Sequence, residues 1–234
     1  MKDLFGKAIL DFQTNNSPED IVTETNISEA DEMEVAYLFR SFDQMPKLEQ
    51  EALQLSKGKI LDIGCGAGSH SLHLQENSFN VTAIDISENA IKACQLRGLK
   101  NAKVQNLLDI EDEKFDTILL LMNGTGIFGT LNETSKYLQK LKSLLNPNGQ
   151  ILIDSSDIIY MFDEDDDGSY LVPANQYYGE LTFTISYKNE TETAFPWLYL
   201  DYNTLQNVAH ANGFNCELVI EGKHFDYLAK LTIS

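Results

Sequence analysis

At 234 residues and 43% apolar side chains, the chain is long enough to bury one sizeable core and too apolar to be disordered. Its net charge of -19 repels nucleic-acid phosphates and anionic lipid surfaces, so neither is expected as a partner, whereas small neutral or cationic molecules approach easily. Three scattered cysteines, Cys65, Cys94 and Cys216, form no CxxC pair, which argues against zinc and for reduced thiols in a cytoplasmic protein.

In chain order, the opening "MKDLFGKAILDFQTNN" sets Lys7 and Asp11 inside what would be the apolar stretch of a signal peptide. No later apolar run nears the ~20 residues of a membrane-spanning helix. Residues 1–57 read as a helical cap on the core. An amphipathic helix and a loop at "NNSPED" come first, and from Ser28 to Lys57 "EVAYLFRSF" and "LEQEALQL" carry apolar residues at helical spacing on either side of Pro46. From Lys59 strands and helices alternate. "KILDI", "NVTAI", "AKVQ", "FDTILLL", "QILID", "CELVI" and "FDYLAKLT" read as strands, and 69–76, 87–97, 132–145 and 202–212 as helices. This alternation of apolar strands with helices predicts an α/β fold, a mostly parallel sheet covered on both faces. Residues 155–200 interrupt it with an antiparallel hairpin around "LTFTISY", and the short turn "EGKH" forces the last two strands antiparallel.

The chemistry concentrates in "ILDIGCGAGSHSL", where Gly64, Gly66 and Gly68 stand at alternate positions between a strand and a helix. Ligands of such sheets sit beyond the strand carboxyl ends, and bare glycine backbone lets one approach there. The missing Gly-Lys-Ser or Gly-Lys-Thr excludes a P-loop. A dinucleotide site survives in weakened form: the spacing is GxGxG, with Asp85 21 positions after Gly64, near where a ribose-binding acid is expected. Asp62 tips the balance, because a carboxylate there repels pyrophosphate and suits the ammonium of a methionine moiety.

These residues resemble the class I S-adenosylmethionine-dependent methyltransferases over 58–154. "ILDIGCGAG" is similar to the family's first motif, "VTAIDIS" and "NLLDI" to its acidic motifs, and "LNPNG" to the turn ahead of strand five. The resemblance implies a Rossmann-like seven-stranded sheet, with the antiparallel seventh strand between strands five and six, over a methyltransferase core of residues 58–234. It implies S-adenosylmethionine as cofactor, and the methyl acceptor is expected to be a small molecule or else a protein side chain. Asp85 is then expected on the ribose hydroxyls, Ile86 and Leu107 or Leu108 on the adenine faces, and Asp109 at the adenine amino group. Asn123 and Gly124 are expected near the sulfonium methyl. Tyr37 and Arg40 would close the pocket, Arg40 pairing with a carboxylate or else merely packing its stem at the surface.

Candidate bases for a protic acceptor are His224, Asp157 and Tyr160, beyond the strand ends. Asp154 also lies there. The aromatic residues Tyr177, Tyr178, Phe183, Trp197 and Tyr199 form an expected substrate-side wall. His70 and His73 lack a third ligand and read as a packed or solvated pair, and "DEDDDG" (163–168) reads as a solvated acidic loop. The expected assembly is a monomer or homodimer. Two other classes stay open: a nicotinamide-dependent oxidoreductase and a cofactor-binding module without chemistry.

Overall fold

The computed structural model describes residues 2–234. Along the chain lie α1 (Leu4–Thr14), β1 (Ile21–Thr25), β2 (Ser28–Met33), α2 (Lys47–Leu55), β3 (Lys59–Ile63), α3 (Ser69–Glu76), β4 (Asn80–Asp85), α4 (Glu88–Leu96), β5 (Ala102–Val104) and β6 (Phe115–Leu120). They are followed by α5 (Thr134–Leu144), β7 (Leu145–Ser156), β8 (Glu180–Tyr187), β9 (Glu190–Thr191), β10 (Phe195–Leu198), α6 (Tyr202–Ala211), β11 (Phe214–Glu221) and β12 (Asp226–Ile233).

The main sheet has the order β11-β12-β7-β6-β3-β4-β5, in which only β12 runs against its neighbours. This is the topology the family resemblance implies. Alternate residues of each strand point to opposite faces. Leu61, Ile118, Leu120, Ile151 and Ile153 pack under α5 and α6 with Leu138, Leu141 and Leu205. Ile60, Leu119 and Leu152 pack under α2 and α3 with Leu48, Leu53 and Leu74. Each such buried side chain contributes roughly 1.5–3 kcal/mol. The chain leaves β3 for β4 and β5 on one side and returns through β6 on the other, so a crevice opens between the carboxyl ends of β3 and β6.

The 1–57 segment departs from the expected helical cap. "SEADEM" is strand β2, and with β1 it joins β8 and β10 in a second antiparallel sheet of order β10-β8-β1-β2. Val22–Thr25 pair with Phe183–Ser186, so these strands are held by partners about 160 residues away along the chain and not by local propensity. Helical structure resumes in two 3₁₀ turns, Val35–Phe39 and Phe42–Gln44, and in α2. The hairpin expected within 155–200 is present as β8 and β10, extended by the N-terminal strands. β7 starts at Leu145, ahead of "QILID"; Asn148 at φ 63° and a register shift take up the extra residues.

Candidate active site

The glycine loop turns between β3 and α3. Gly64, Gly66 and Gly68 have φ of 69°, 52° and 81°, a region that side-chain-bearing residues rarely enter. A Cβ on Gly68 would stand 2.8 Å from Cys94 Sγ, whereas one on Gly66 would meet nothing nearer than Ile9 Cδ1 at 4.0 Å. The loop is therefore packed at Gly68 and open at Gly66. Ile9 and Leu38 pack with Ala67, and Ser69 Oγ donates to Leu38 O at 2.7 Å, so α1 and the Val35–Phe39 turn cover the loop.

Asp62 lies beneath the loop, 2% exposed, and accepts a hydrogen bond from Ser71 Oγ at 2.6 Å. Burial raises its pKa, against the opposing effects of His70 and the Ser71 bonds. The resemblance assigns this carboxylate to an ammonium; the structure bonds it to α3. Asp85 ends β4 with both oxygens engaged: Oδ2 accepts Gly66 N–H at 3.0 Å and Oδ1 accepts Ser87 N–H at 2.9 Å. Burial pushes the Asp85 carboxyl up, while these two bonds pull it down. Ile86 beside it is 60% exposed and lines an open hollow of about 440 Å³ with Asp3, Ser87, Glu88 and Asn89. Leu107 is buried and Leu108 half-buried, while Asp109 is exposed at the end of a short 3₁₀ turn.

The end of β6 is shaped by Asp154 of β7. Oδ2 accepts Met122 N–H and Oδ1 accepts Gly124 N–H, both at 2.9 Å, which holds Met122 and Asn123 in left-handed conformation. Burial pushes the Asp154 carboxyl up to about 7, despite those two bonds. Asn123 Oδ1 accepts Ser155 Oγ at 2.9 Å, and Thr125 Oγ1 donates to Leu198 O at 3.0 Å, fastening the end of β10 to this turn.

Arg40 is neither a surface residue nor free. It is 6% exposed, lies 4.0 Å from the Tyr37 ring centroid, donates to Tyr37 O at 2.6 Å and binds both oxygens of Glu49. Among the described residues its buried Nε has no partner. Glu49 also bonds His70 Nε2 at 2.6 Å. Burial pulls the His70 pKa down, but the Glu49 bond and the charges of Asp62 and Glu49 raise it on balance. Glu49 itself is pushed up by burial and ends lowered by His70 and Arg40. His70 and His73 thus separate: His70 joins this network and His73 stacks on Phe42 at 4.2 Å. Glu49 was missed by sequence reasoning, although it shares the buried stripe of Ala52 and Leu53 on α2, a position where a charge needs a partner.

Beyond the end of β7, Asp157 accepts Tyr178 Oη at 2.8 Å, and Tyr160 stacks on Phe225 with centroids 5.1 Å apart. His224 is exposed in the β11–β12 turn, where its backbone N–H donates to Asp226. The topology brings this turn to the end of β7, since Asp157 N–H donates to Phe225 O at 2.9 Å. The 163–168 loop is exposed.

Residues 54–213 match the family described as Methyltransferase domain. A SAM-dependent methyltransferase from Bacteroides fragilis, solved in complex with S-adenosyl-L-homocysteine, is 46% identical, with a TM-score of 0.92, covering 100% of this chain and 95% of that one. YqeM of Bacillus subtilis is 30% identical over 145 residues, 56% of this chain and 58% of its own length. The ubiquinone biosynthesis O-methyltransferase of Rickettsia typhi is 27% identical over 112 residues, 46% of this chain and 44% of its own. The chain spans about half the length of these curated relatives.

Proposed function

The chain belongs to the S-adenosylmethionine-dependent methyltransferases, and from that premise we propose that it is a working enzyme that methylates a small-molecule acceptor. The observation that carries the reading is the junction of Gly66 and Asp85: open backbone on one side, and on the other a carboxylate held by two N–H groups at the end of β4. Each Asp85 oxygen keeps a lone pair for a ribose hydroxyl. Ile86 and Leu108 flank the place for the adenine, with Asp109 at its rim. The buried Nε of Arg40, without a partner among the described residues, suits the methionine carboxylate, and Asp62 fastens the start of α3, just after the glycine loop, through Ser71.

S-adenosylmethionine supplies a methyl group already activated on a sulfonium sulfur. The protein's task is therefore mainly alignment. Asp154 fixes the Met122–Gly124 turn, which places Asn123 and Gly124 at the floor of the crevice. Asp157, Tyr160 and His224 are the candidate acceptors for a proton leaving the substrate. The place of action is proposed as the cytoplasm; among the described residues no helix is long and apolar enough to cross a membrane. The test is release of S-adenosylhomocysteine from S-adenosylmethionine across a panel of small amines, phenols and carboxylic acids. Acceptor-dependent release that Asp85→Ala removes is the expected result, and release with none of the panel counts against the proposal.

A further inference from the structure

Beyond the carboxyl end of β7 lies a knot of four side chains drawn from three parts of the chain. Asp157 follows β7 and donates its N–H to Phe225 O in the β11–β12 turn at 2.9 Å. The Phe225 ring lies on that of Tyr160 at 5.1 Å and 19°. Tyr178, ahead of β8, donates its hydroxyl to Asp157 Oδ1 at 2.8 Å, and Ile159 N–H donates to the same oxygen at 2.9 Å. Burial, then Tyr177 and Asp157, raise the Tyr178 pKa, so it stays a donor. Among the described residues nothing in the protein bonds Asp157 Oδ2. Phe162 meets Tyr178 edge-on at 6.1 Å.

This knot has the composition of a cation site. Two of its rings, Tyr160 at 51% and Phe225 at 59%, face water, which is unusual for aromatic side chains held in a defined stack. Stacking fixes their orientation, and ring faces attract a cation that comes within about 6 Å. Asp157 is oriented through one oxygen and presents the other. The surroundings are acidic: Asp154 lies near Tyr199 and Asp226 near Tyr37. Of the nearby basic side chains, Arg40 is bound to Glu49, while Lys223 and His224 stand exposed on the turn. An anionic acceptor would meet the Asp157 carboxylate, with the Arg40 guanidinium already held by Glu49.

We propose that Asp157, Tyr160, Tyr178 and Phe225 form the acceptor subsite and that it takes a protonated amine. The inference deepens the methyltransferase reading and rests on it. The ammonium sits against the Tyr160 and Phe225 faces and donates to Asp157 Oδ2. One ammonium proton is lost to water at the open mouth, which leaves the nitrogen the lone pair it needs as a nucleophile. Tyr178 is a positioning residue, since it acts on the amine through Asp157. A neutral phenol is the competing occupant, and the test separates the two.

The experiment is calorimetry on protein saturated with S-adenosylhomocysteine, titrated with benzylammonium, benzyl alcohol and 4-methylphenol. The first two probes match in shape and differ by one charge. Benzylammonium is expected to bind at least tenfold more tightly than either neutral probe. Asp157→Asn and Tyr160→Ala are each expected to cut that preference to twofold or less while S-adenosylhomocysteine affinity is unchanged, and Tyr160→Phe to retain it. Equal affinities, tighter binding of the alcohol or phenol, or no binding of any probe with S-adenosylhomocysteine bound would overturn the proposal and leave the methyltransferase reading standing. Failure of S-adenosylhomocysteine itself to bind would remove the reading, and the inference with it.

Discussion

Replacing Glu49 with Gln keeps the shape of the side chain and removes the charge that joins Arg40 to His70. Glu49 is 4% exposed and bonds both partners, so the substitution leaves a guanidinium and an imidazolium buried without their counter-ion. Removing one partner of a buried ion pair costs about 3–5 kcal/mol. For a chain of this size, with ~2–4 °C per kcal/mol, the lower figure corresponds to a fall in Tm of roughly 6–12 °C. The pH dependence carries a second signature. Glu49 has a lowered folded-state pKa, so its contribution is present above its ordinary value of 4.5 and is lost as pH falls through the lowered one. His70 has a raised folded-state pKa, so its contribution is full below its ordinary value of 6.5 and is lost as pH rises through the raised one. The network therefore stabilises most between those two ordinary values. Urea unfolding at pH 6 and pH 8 reads both effects. Glu49→Gln is expected to be less stable at pH 6 and to lose less on going to pH 8. A loss below ~1 kcal/mol at pH 6, or a pH 6 to 8 difference equal to that of the unsubstituted protein, would show that Glu49 does not hold Arg40 and His70 together.

Asp154 titrates near 7 in the fold against an ordinary 3.8, so the native state is favoured while this carboxyl is protonated and loses about 4 kcal/mol as pH rises from 4 to 7. Asp154→Asn should flatten that fall, as compared by urea unfolding at pH 4.5 and 7.5. Ser71→Ala withdraws the hydroxyl from buried Asp62 and should cost ~1–3 kcal/mol in the same assay; a neutral result would mean that Asp62 is satisfied elsewhere. A Cβ on Gly126 would lie 2.0 Å from a Trp197 ring carbon, so Gly126→Ala must displace the chain's single tryptophan. The expected cost is ~1–3 kcal/mol, with a red shift in tryptophan fluorescence.

The core was legible because its strands are apolar on both faces and its helices begin at recognisable caps. Ser87 accepts Ala90 N–H at 2.9 Å and Asp201 accepts Thr204 N–H at 2.9 Å, fixing starts for α4 and α6 near those read from sequence. The 69–76 reading coincides with Ser69–Glu76. The second sheet was hidden for a different reason. β2 is mostly polar and exposed, and its strand state comes from β1, which is in turn held by β8 far along the chain. Arg40 shows the same limit at one side chain: its spacing on "AYLFR" gave no sign that Glu49, nine residues later, would hold it. Asp154 was legible as a strand-end acid, but its clamp on Met122 and Gly124 depends on the pairing of β6 with β7.

The role of the glycine loop and Asp85 in holding S-adenosylmethionine is read by calorimetric titration of the protein and of Asp85→Ala with S-adenosylhomocysteine, using NAD as the control. S-adenosylhomocysteine is expected to bind, with at least a hundredfold loss of affinity on substitution and no heat from NAD. Binding that survives the loss of the Asp85 carboxylate, or a preference for NAD, would contradict that role.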